Sequence, residues 1–205
     1  MKMEHKQEII QTRSHGLGSS DAKMVVSVAR NNKITMTAEK RIDEMLGRRE
    51  RKQFGTKSMD HGNYIEDEIY KVLKQLKPTM VSNPFFENTL FAKKMGFSVF
   101  NHIDFEVVEN GTLKWFECKA VNDDIVSTIK HYNEQLAWHY LLGELKANLQ
   151  GLKFELYVVH YRTKDKTSVF DAKNIKTKKI QKDDDVILMI AKGLGIIKKY
   201  LEEIK

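Results

Sequence analysis

The sequence predicts a mixed α/β fold, a central sheet flanked by helices, on three observations. Apolar spacing is helical over the first third of the chain. It turns into strand-like runs rich in Val, Ile and Phe in the middle third, and it returns to helix at the end. An Asn110-Gly111 pair lies between two of the strand-like runs, a strong hairpin signal because a type I′ turn needs positive φ at both central positions. Elements in this order bury their apolar faces as layers, helices against a mixed sheet. The 205 residues suffice for a core, with no internal repeat, low-complexity tract or Pro/Gly/Ser-rich linker. One domain over residues 1–205 is expected, with residues 1–12 as a flexible lead.

Each element follows from local chemistry. Ser19-Ser20-Asp21 is good N-cap material for a helix over residues 19–30. Thr37 is the expected cap of a second helix over 37–51, with Ile42, Met45 and Leu46 on one side. Ile65, Ile69, Val72, Leu73 and Leu76 form the stripe of a third over 64–76, which Pro78 ends. Residues 85–91 and 97–108 read as strands, and 113–121 as the strand returning from the Asn110-Gly111 turn. A helix over 125–143 with Gly143 as its stop, a strand over 154–161 and a helix over 185–204 complete the chain.

Charge and composition narrow the function. The formal charge is 35 − 28 = +7, which favours an anionic partner, nucleic acid before lipid head groups. The single cysteine, Cys118, excludes disulfide scaffolds, multi-cysteine zinc modules and thiolate-ligated iron–sulfur clusters, and argues for a reducing compartment. The N-terminus is polar and mixed in charge, unlike a signal peptide, and no apolar run approaches the ~20 residues that span a bilayer. A cytoplasmic protein with no membrane partner is expected.

The hairpin carries the chemistry. With Glu109 opposite Thr112, Asp104 falls opposite Glu117 and His102 opposite Lys119, and period-two alternation puts Glu117 and Lys119 on one face. Like charges directly opposite each other destabilise a sheet, and the return strand, apolar around its charges on both faces, reads as central. A hard divalent cation between the two carboxylates resolves the conflict; Mg²⁺ suits it, with Mn²⁺ as an alternative. Lys119 would then orient or deprotonate an attacking water, or stabilise the pentacovalent phosphate. The competing reading is an exposed surface hairpin with a solvated Glu-x-Lys face, and a register slipped by one residue would put Asp104 on the wrong face.

Asp104, a hairpin, then Glu117-Cys118-Lys119 resembles the D…(D/E)-x-K core of the PD-(D/E)XK nuclease superfamily. Two further segments resemble the YqaJ-like viral recombinase and lambda-type exonuclease family within it. Arg13 to Asp21, Arg-Ser-His-Gly-Leu-Gly-Ser-Ser-Asp, is similar to its N-terminal motif, and Gly62-Asn-Tyr-Ile-Glu66 to its G-x-x-x-E helix. Gln135 holds the place of the family's glutamine. The resemblance runs from about residue 13 to about residue 143. It departs at Ile103, where proline is usual, at Phe105, where glycine is common, and at His139, where related nucleases show tyrosine.

The resemblance implies a restriction-endonuclease-like core and a Mg²⁺-dependent exonuclease acting 5′ to 3′ on linear double-stranded DNA in phage-type recombination. Glu66, Asp104, Glu117 and Lys119 would be catalytic, and the metal ligands Glu66, Asp104, Glu117 and the Cys118 carbonyl. Arg13, Ser20 and Gln135 would bind DNA, Arg13 and Ser20 at its 5′-phosphate. A ring-shaped homo-oligomer, often a trimer, and a single-strand annealing protein are the implied partners. A structure-selective or restriction-like endonuclease with the same core is the second enzyme reading. A DNA-binding module without turnover is the third, against which the intact Asp104, Glu117 and Lys119 argue.

Other segments read as follows. The Gly16–Leu17 pair with Gly18, Ser19 and Ser20 opens a helix and offers N–H groups to an anion, but lacks the Gly-Lys-Ser/Thr of a nucleotide loop. His131, Gln135 and His139 share a helix face, expected to look into the DNA groove. Residues 162–182 carry a large excess of lysine over Asp165 and Asp171, a solvated face or a track for a DNA backbone. Asp183-Asp184-Asp185 reads as the acidic start of the last helix. No Gly-x-Ser-x-Gly elbow is present, so a serine hydrolase is unsupported.

Overall fold

A computed structural model describes residues 16–50, 57–163 and 169–204. Arg13, the 1–12 lead and part of the lysine-rich segment lie outside the described residues. The elements run β1 (Gly16–Leu17), α1 (Ala22–Asn31), α2 (Met36–Met45), α3 (Lys57–Leu76), β2 (Val81–Ser82), β3 (Phe85–Glu87), α4 (Thr89–Met95), β4 (Ser98–His102), β5 (Phe105–Glu109), β6 (Thr112–Val121), α5 (Ile125–His131), α6 (Asn133–Leu149), β7 (Lys153–Arg162), β8 (Ile175–Ile180) and α7 (Asp184–Glu203). A single 3₁₀ turn, Ser19–Asp21, leads into α1.

The strands make two sheets. Five lie in the order β2-β5-β6-β7-β8, with β6 and β7 parallel and the other pairs antiparallel. Three lie in the order β1-β4-β3. Helices cover both faces of the larger sheet. On one side Trp115, Leu156 and Val158 pack with Val25 of α1, Leu136, Trp138 and Leu142 of α6, and Ile190, Leu194 and Ile197 of α7 in the main core. On the other, Ile65 and Ile69 of α3 pack against Phe105, Val107, Phe116, Val159 and Tyr161. β6 is therefore the central strand that its apolar flanks predict. No helix among the described residues is long and apolar enough to cross a membrane.

The Asn110-Gly111 turn forms as expected, with φ of 50° and 70°, and pairs Glu109 with Thr112. The predicted strand over 97–108 is two strands. Its two halves pair with different neighbours, Phe85 with His102 on one side of the break and Ser82 with Phe105 on the other. Pro84, which has no N–H for a ladder, sits at the break, and Asn83 at φ 50° donates its N–H to the Asp104 carbonyl (2.7 Å). The β5–β6 ladder consequently ends at Phe105–Phe116, one residue before the predicted Asp104–Glu117 pair, and His102 faces Phe85 rather than Lys119.

Other differences are local. Thr35, not Thr37, caps α2, accepting the Ala38 N–H at 3.3 Å. Residues 85–91 divide into β3 and α4, because the Asn88 side chain accepts the Phe91 N–H and starts a helix. The helix over 125–143 breaks at Tyr132 and runs on past Gly143 to Leu149, where Gly143 makes room for the Phe154 ring instead of a stop. Asp183 caps α7 through the Val186 N–H at 3.1 Å, in keeping with the acidic helix start expected there.

Gly193 marks where α1 and α7 touch most closely: a Cβ there would collide with the Val25 carbonyl oxygen. Backbone cannot rotate away as a side chain can. Gly193→Ala is expected to destabilise the fold by ~1–3 kcal/mol, the usual cost of overpacking. Chemical denaturation of wild type and variant measures it.

Candidate active site

The break between β4 and β5 creates the site. Beyond Phe116 the edge of β6 has lost its antiparallel partner, and Asp104 takes over one of the exposed donors: its Oδ2 accepts the Cys118 N–H at 2.5 Å. A strand residue directs its N–H and C=O to the same side, so the Cys118 carbonyl faces the same open edge. Glu117 and Lys119 point to the α6 face, and Cys118 to the α3 face, where its side chain joins the second core. α3 brings Glu66 alongside. A cleft of about 330 Å³ lies here, lined by Gly62, Glu66, Cys118, Lys119 and Tyr132 among others. A Cβ on Gly62 would meet nothing within 4 Å, so this helix-interior glycine leaves the cleft open rather than serving internal packing.

Glu117 is the most heavily bonded group. Its Oε1 accepts from Lys119 Nζ at 2.5 Å and from Gln135 Nε2 at 2.9 Å. Its Oε2 lies 3.1 Å from His139 Nε2. Lys119 Nζ also sits 4.5 Å from the centroid of the Tyr132 ring, a cation–π contact. Gln135, assigned to DNA by its motif, bonds Glu117 here. His139, expected in a DNA-facing row, is fully buried between Glu117 and Asn101.

The electrostatics divide the carboxylates. Burial alone would raise the Glu117 pKa, but the charges of Lys119 and His139 and the hydrogen bonds from both outweigh it and hold it down to about 2. Burial, then repulsion from Glu117 and Asp67, raises Glu66 to about 7. Burial and the charges of Glu117 and Glu66 push Asp104 well above the usual carboxylate range. Lys119 is pushed up to about 12: its burial disfavours the charge, but the carboxylates of Glu117 and Asp104 more than compensate. The ammonium therefore stays protonated at neutral pH.

Glu66, Asp104, Glu117 and the Cys118 carbonyl would together offer hard oxygen donors, the chemistry Mg²⁺ or Mn²⁺ takes. Among the described residues no three His, Cys, Asp or Glu side chains are already clustered as an ion cage; Glu117 is turned to its donors Lys119 and Gln135, and Asp104 to the Cys118 N–H. The raised Asp104 and Glu66 are nevertheless what a cation would relieve. The donor set fits the ion.

The Gly-rich start is more structural than the sequence suggests. Asp21 accepts the Gly18 N–H at 3.0 Å, and the buried Arg41 bonds both Asp21 Oδ1 (3.1 Å) and the Gly16 carbonyl (2.6 Å). One of the N–H groups offered to an anion is already used, while Ser20 remains exposed on the 3₁₀ turn. The lysine-rich segment contains β8, the edge strand beside β7, with Lys176 and Lys178 exposed. Sequence reasoning missed Asn101, Tyr132 and the Arg41–Asp21 pair. No spacing in the sequence links these residues to the site; only the tertiary register does.

No family model matches the sequence, and no curated protein matches it. Solved structures do. A phage-related exonuclease from Haemophilus somnus 129PT superposes with a TM-score of 0.59 at 15% identity, covering 93% of this chain and 95% of that one. The alkaline exonuclease LHK-Exo from Laribacter hongkongensis gives a TM-score of 0.63 at 15% identity over 96% of this chain and 93% of its own. The complex of LHK-Exo with dAMP gives 0.59 at 16% identity over 93% and 90%. The mixed α/β fold is thus that of the phage-related and alkaline exonucleases, the fold that the sequence motifs imply.

Proposed function

We propose that the chain is a Mg²⁺-dependent deoxyribonuclease, an exonuclease degrading linear duplex DNA from its 5′ ends, in one nuclease domain spanning residues 1–205. The observation that carries the reading is the meeting of Glu66, Asp104, Glu117 and a permanently charged Lys119 at the open edge of β6, in a fold shared with exonucleases. Glu66, Asp104, Glu117 and the Cys118 carbonyl would hold the cation. When bound, the metal supplies Lewis acidity toward a phosphate oxygen and a more acidic water.

The protein's own groups do the rest. Lys119, its pKa pushed up to about 12, is placed to donate to the scissile phosphate or to the attacking water. Tyr132 and Glu117 fix the ammonium from two sides. Gln135 fixes Glu117, with His139 in contact on its other oxygen. The raised Glu66 would give up its proton as a cation binds beside it. Arg13 and Ser20 are assigned to the 5′-phosphate through the motif they belong to. The same motif reading extends to a trimeric ring and a single-strand annealing partner, which light scattering and co-purification test.

The deciding experiment is digestion of end-labelled linear and covalently closed circular duplex DNA with Mg²⁺. Loss of the linear form alone is expected. Nicked circles would make the protein an endonuclease, and binding of DNA without cutting would make it a binding module.

A further inference from the structure

The cleft does not account for the lysine excess between residues 162 and 182, but the sheet register gives part of it a place. β6, β7 and β8 are successive strands, and residues paired across a sheet share a face. Lys119 pairs with His160, and His160 with Lys176. Val121, which lines the cleft, pairs with Arg162, and Lys178 pairs with Val158 of the main core. Arg162, Lys176 and Lys178 therefore stand on the sheet face of Lys119, and all three are exposed. They run from the rim of the cleft across β7 and then along the β8 edge, about 10 Å from β6.

These charges are not neutralised. Elsewhere on the sheet Lys77 and Lys114 pair with Glu109, Lys146 with Glu106, and Lys179, on the opposite face of β8, with Glu155. Among the described residues Lys176 and Lys178 have no acidic partner, and Arg162 uses only its Nε, which donates to the Asn122 carbonyl at 3.1 Å. Burial, then the charges of Lys176 and Arg162, hold His160 below its usual pKa against its bond to the Asp123 carbonyl, so both cations stand close about one buried ring. The stripe ends where the charge changes sign. Lys178 borders a groove of about 500 Å³ that closes on Asp183, Asp184 and Asp185, where Lys182 is already paired with Glu144 and Asp184. Like charges side by side on a sheet face are destabilising, and an anion laid along them relieves the conflict. Lysine on an edge strand also discourages edge-to-edge pairing, a role that charge of either sign fills.

We propose that Arg162, Lys176 and Lys178 form a track for the phosphate backbone of duplex DNA, holding the duplex along β7 and β8 while its end lies in the cleft. The inference deepens the nuclease reading above, which puts that end in the cleft. Two residues apart on one strand, Lys176 and Lys178 stand about 7 Å from each other, comparable to the step between successive phosphates. Contacts of this kind fix grip and orientation and carry no sequence information.

Fluorescence anisotropy of a labelled linear duplex with the full chain, at several salt concentrations and with a chelator so that nothing is cut, tests the track. Lys176→Gln/Lys178→Gln is expected to reduce the slope of log affinity against log salt by about 1 to 2, since each phosphate contact contributes about 0.9. Lys176→Glu/Lys178→Glu is expected to weaken binding by about 10-fold or more at low salt. Lys192→Gln/Lys199→Gln removes the same charge from exposed positions of α7 and is expected to keep the slope within about 0.5 of wild type. An equal fall in slope in both glutamine pairs would make net charge the cause and overturn the track. Wild-type affinity in a monodisperse glutamate pair would also overturn it, leaving the lysines as guards of the edge. If the glutamate pair aggregates, the glutamine pair decides, and an unchanged slope there overturns the proposal. Failure of the underlying reading looks different: the wild-type chain would bind the duplex with its full salt slope and leave it uncut when Mg²⁺ replaces the chelator.

Discussion

Glu117→Gln is expected to reduce DNA cleavage by about 10³-fold or more while duplex affinity stays close to that of wild type. The substitution keeps size and shape but removes the charge that would hold the cation, and most of the affinity for a duplex comes from phosphate contacts elsewhere on a basic surface. It also replaces an acceptor oxygen with an amide N–H₂ beside two donors, Lys119 and Gln135. A buried donor facing donors costs ~1–3 kcal/mol, so a lower melting point should accompany the lost activity. Cleavage and binding assays on one folded preparation check the pair of outcomes. Equal loss of both would mean that Glu117 shapes the DNA surface rather than the chemistry.

Lys119→Met should lower the single-turnover cleavage rate by about 10²-fold or more, with little change in DNA affinity. The ammonium is held at 2.5 Å from Glu117 and against the Tyr132 ring, so it is already oriented before substrate arrives. Its effect should therefore appear where negative charge builds up, in the transition state. Methionine retains the length and the apolar stem. Removing one member of a buried ion pair is ordinarily destabilising, but here Gln135 continues to donate to Glu117, which limits the loss. A folded Lys119→Met protein cutting at the wild-type rate would make the lysine a structural counter-ion.

Much of this architecture is legible in the sequence because local chemistry dictates it. The Asn110-Gly111 turn sets the β5–β6 register, and the apolar flanks of Glu117 and Lys119 identify β6 as central, as found. The end of that register is not legible. It depends on Asn83 and Pro84, some twenty residues upstream, which divert the neighbouring chain from one sheet to the other. The expected opposition of Asp104 and Glu117 is therefore replaced by an Asp104 carboxylate bonded to the backbone of β6, which still gathers the same residues at the edge. β8 is hidden for a different reason. An edge strand with one exposed side can be built of Lys-Thr-Lys-Lys between two isoleucines, and its composition is that of a solvated loop. His139 is visible as one turn beyond Gln135 on a helix, but the buried residue that it meets, Asn101, lies thirty-eight residues away in sequence.

Mg²⁺-dependent digestion of a labelled linear duplex by the wild-type chain and its Asp104→Asn variant, run side by side, bears most directly on the centre. Asparagine retains an oxygen to accept the Cys118 N–H and relieves the repulsion among buried carboxylates, so the variant should fold at least as well as wild type. Digestion is expected from the wild-type protein with Mg²⁺, none with a chelator, and none from Asp104→Asn under either condition. Wild-type rates from folded Asp104→Asn protein, or no cutting of any DNA by the wild-type chain with Mg²⁺ or Mn²⁺, would contradict a metal-dependent nuclease at this site.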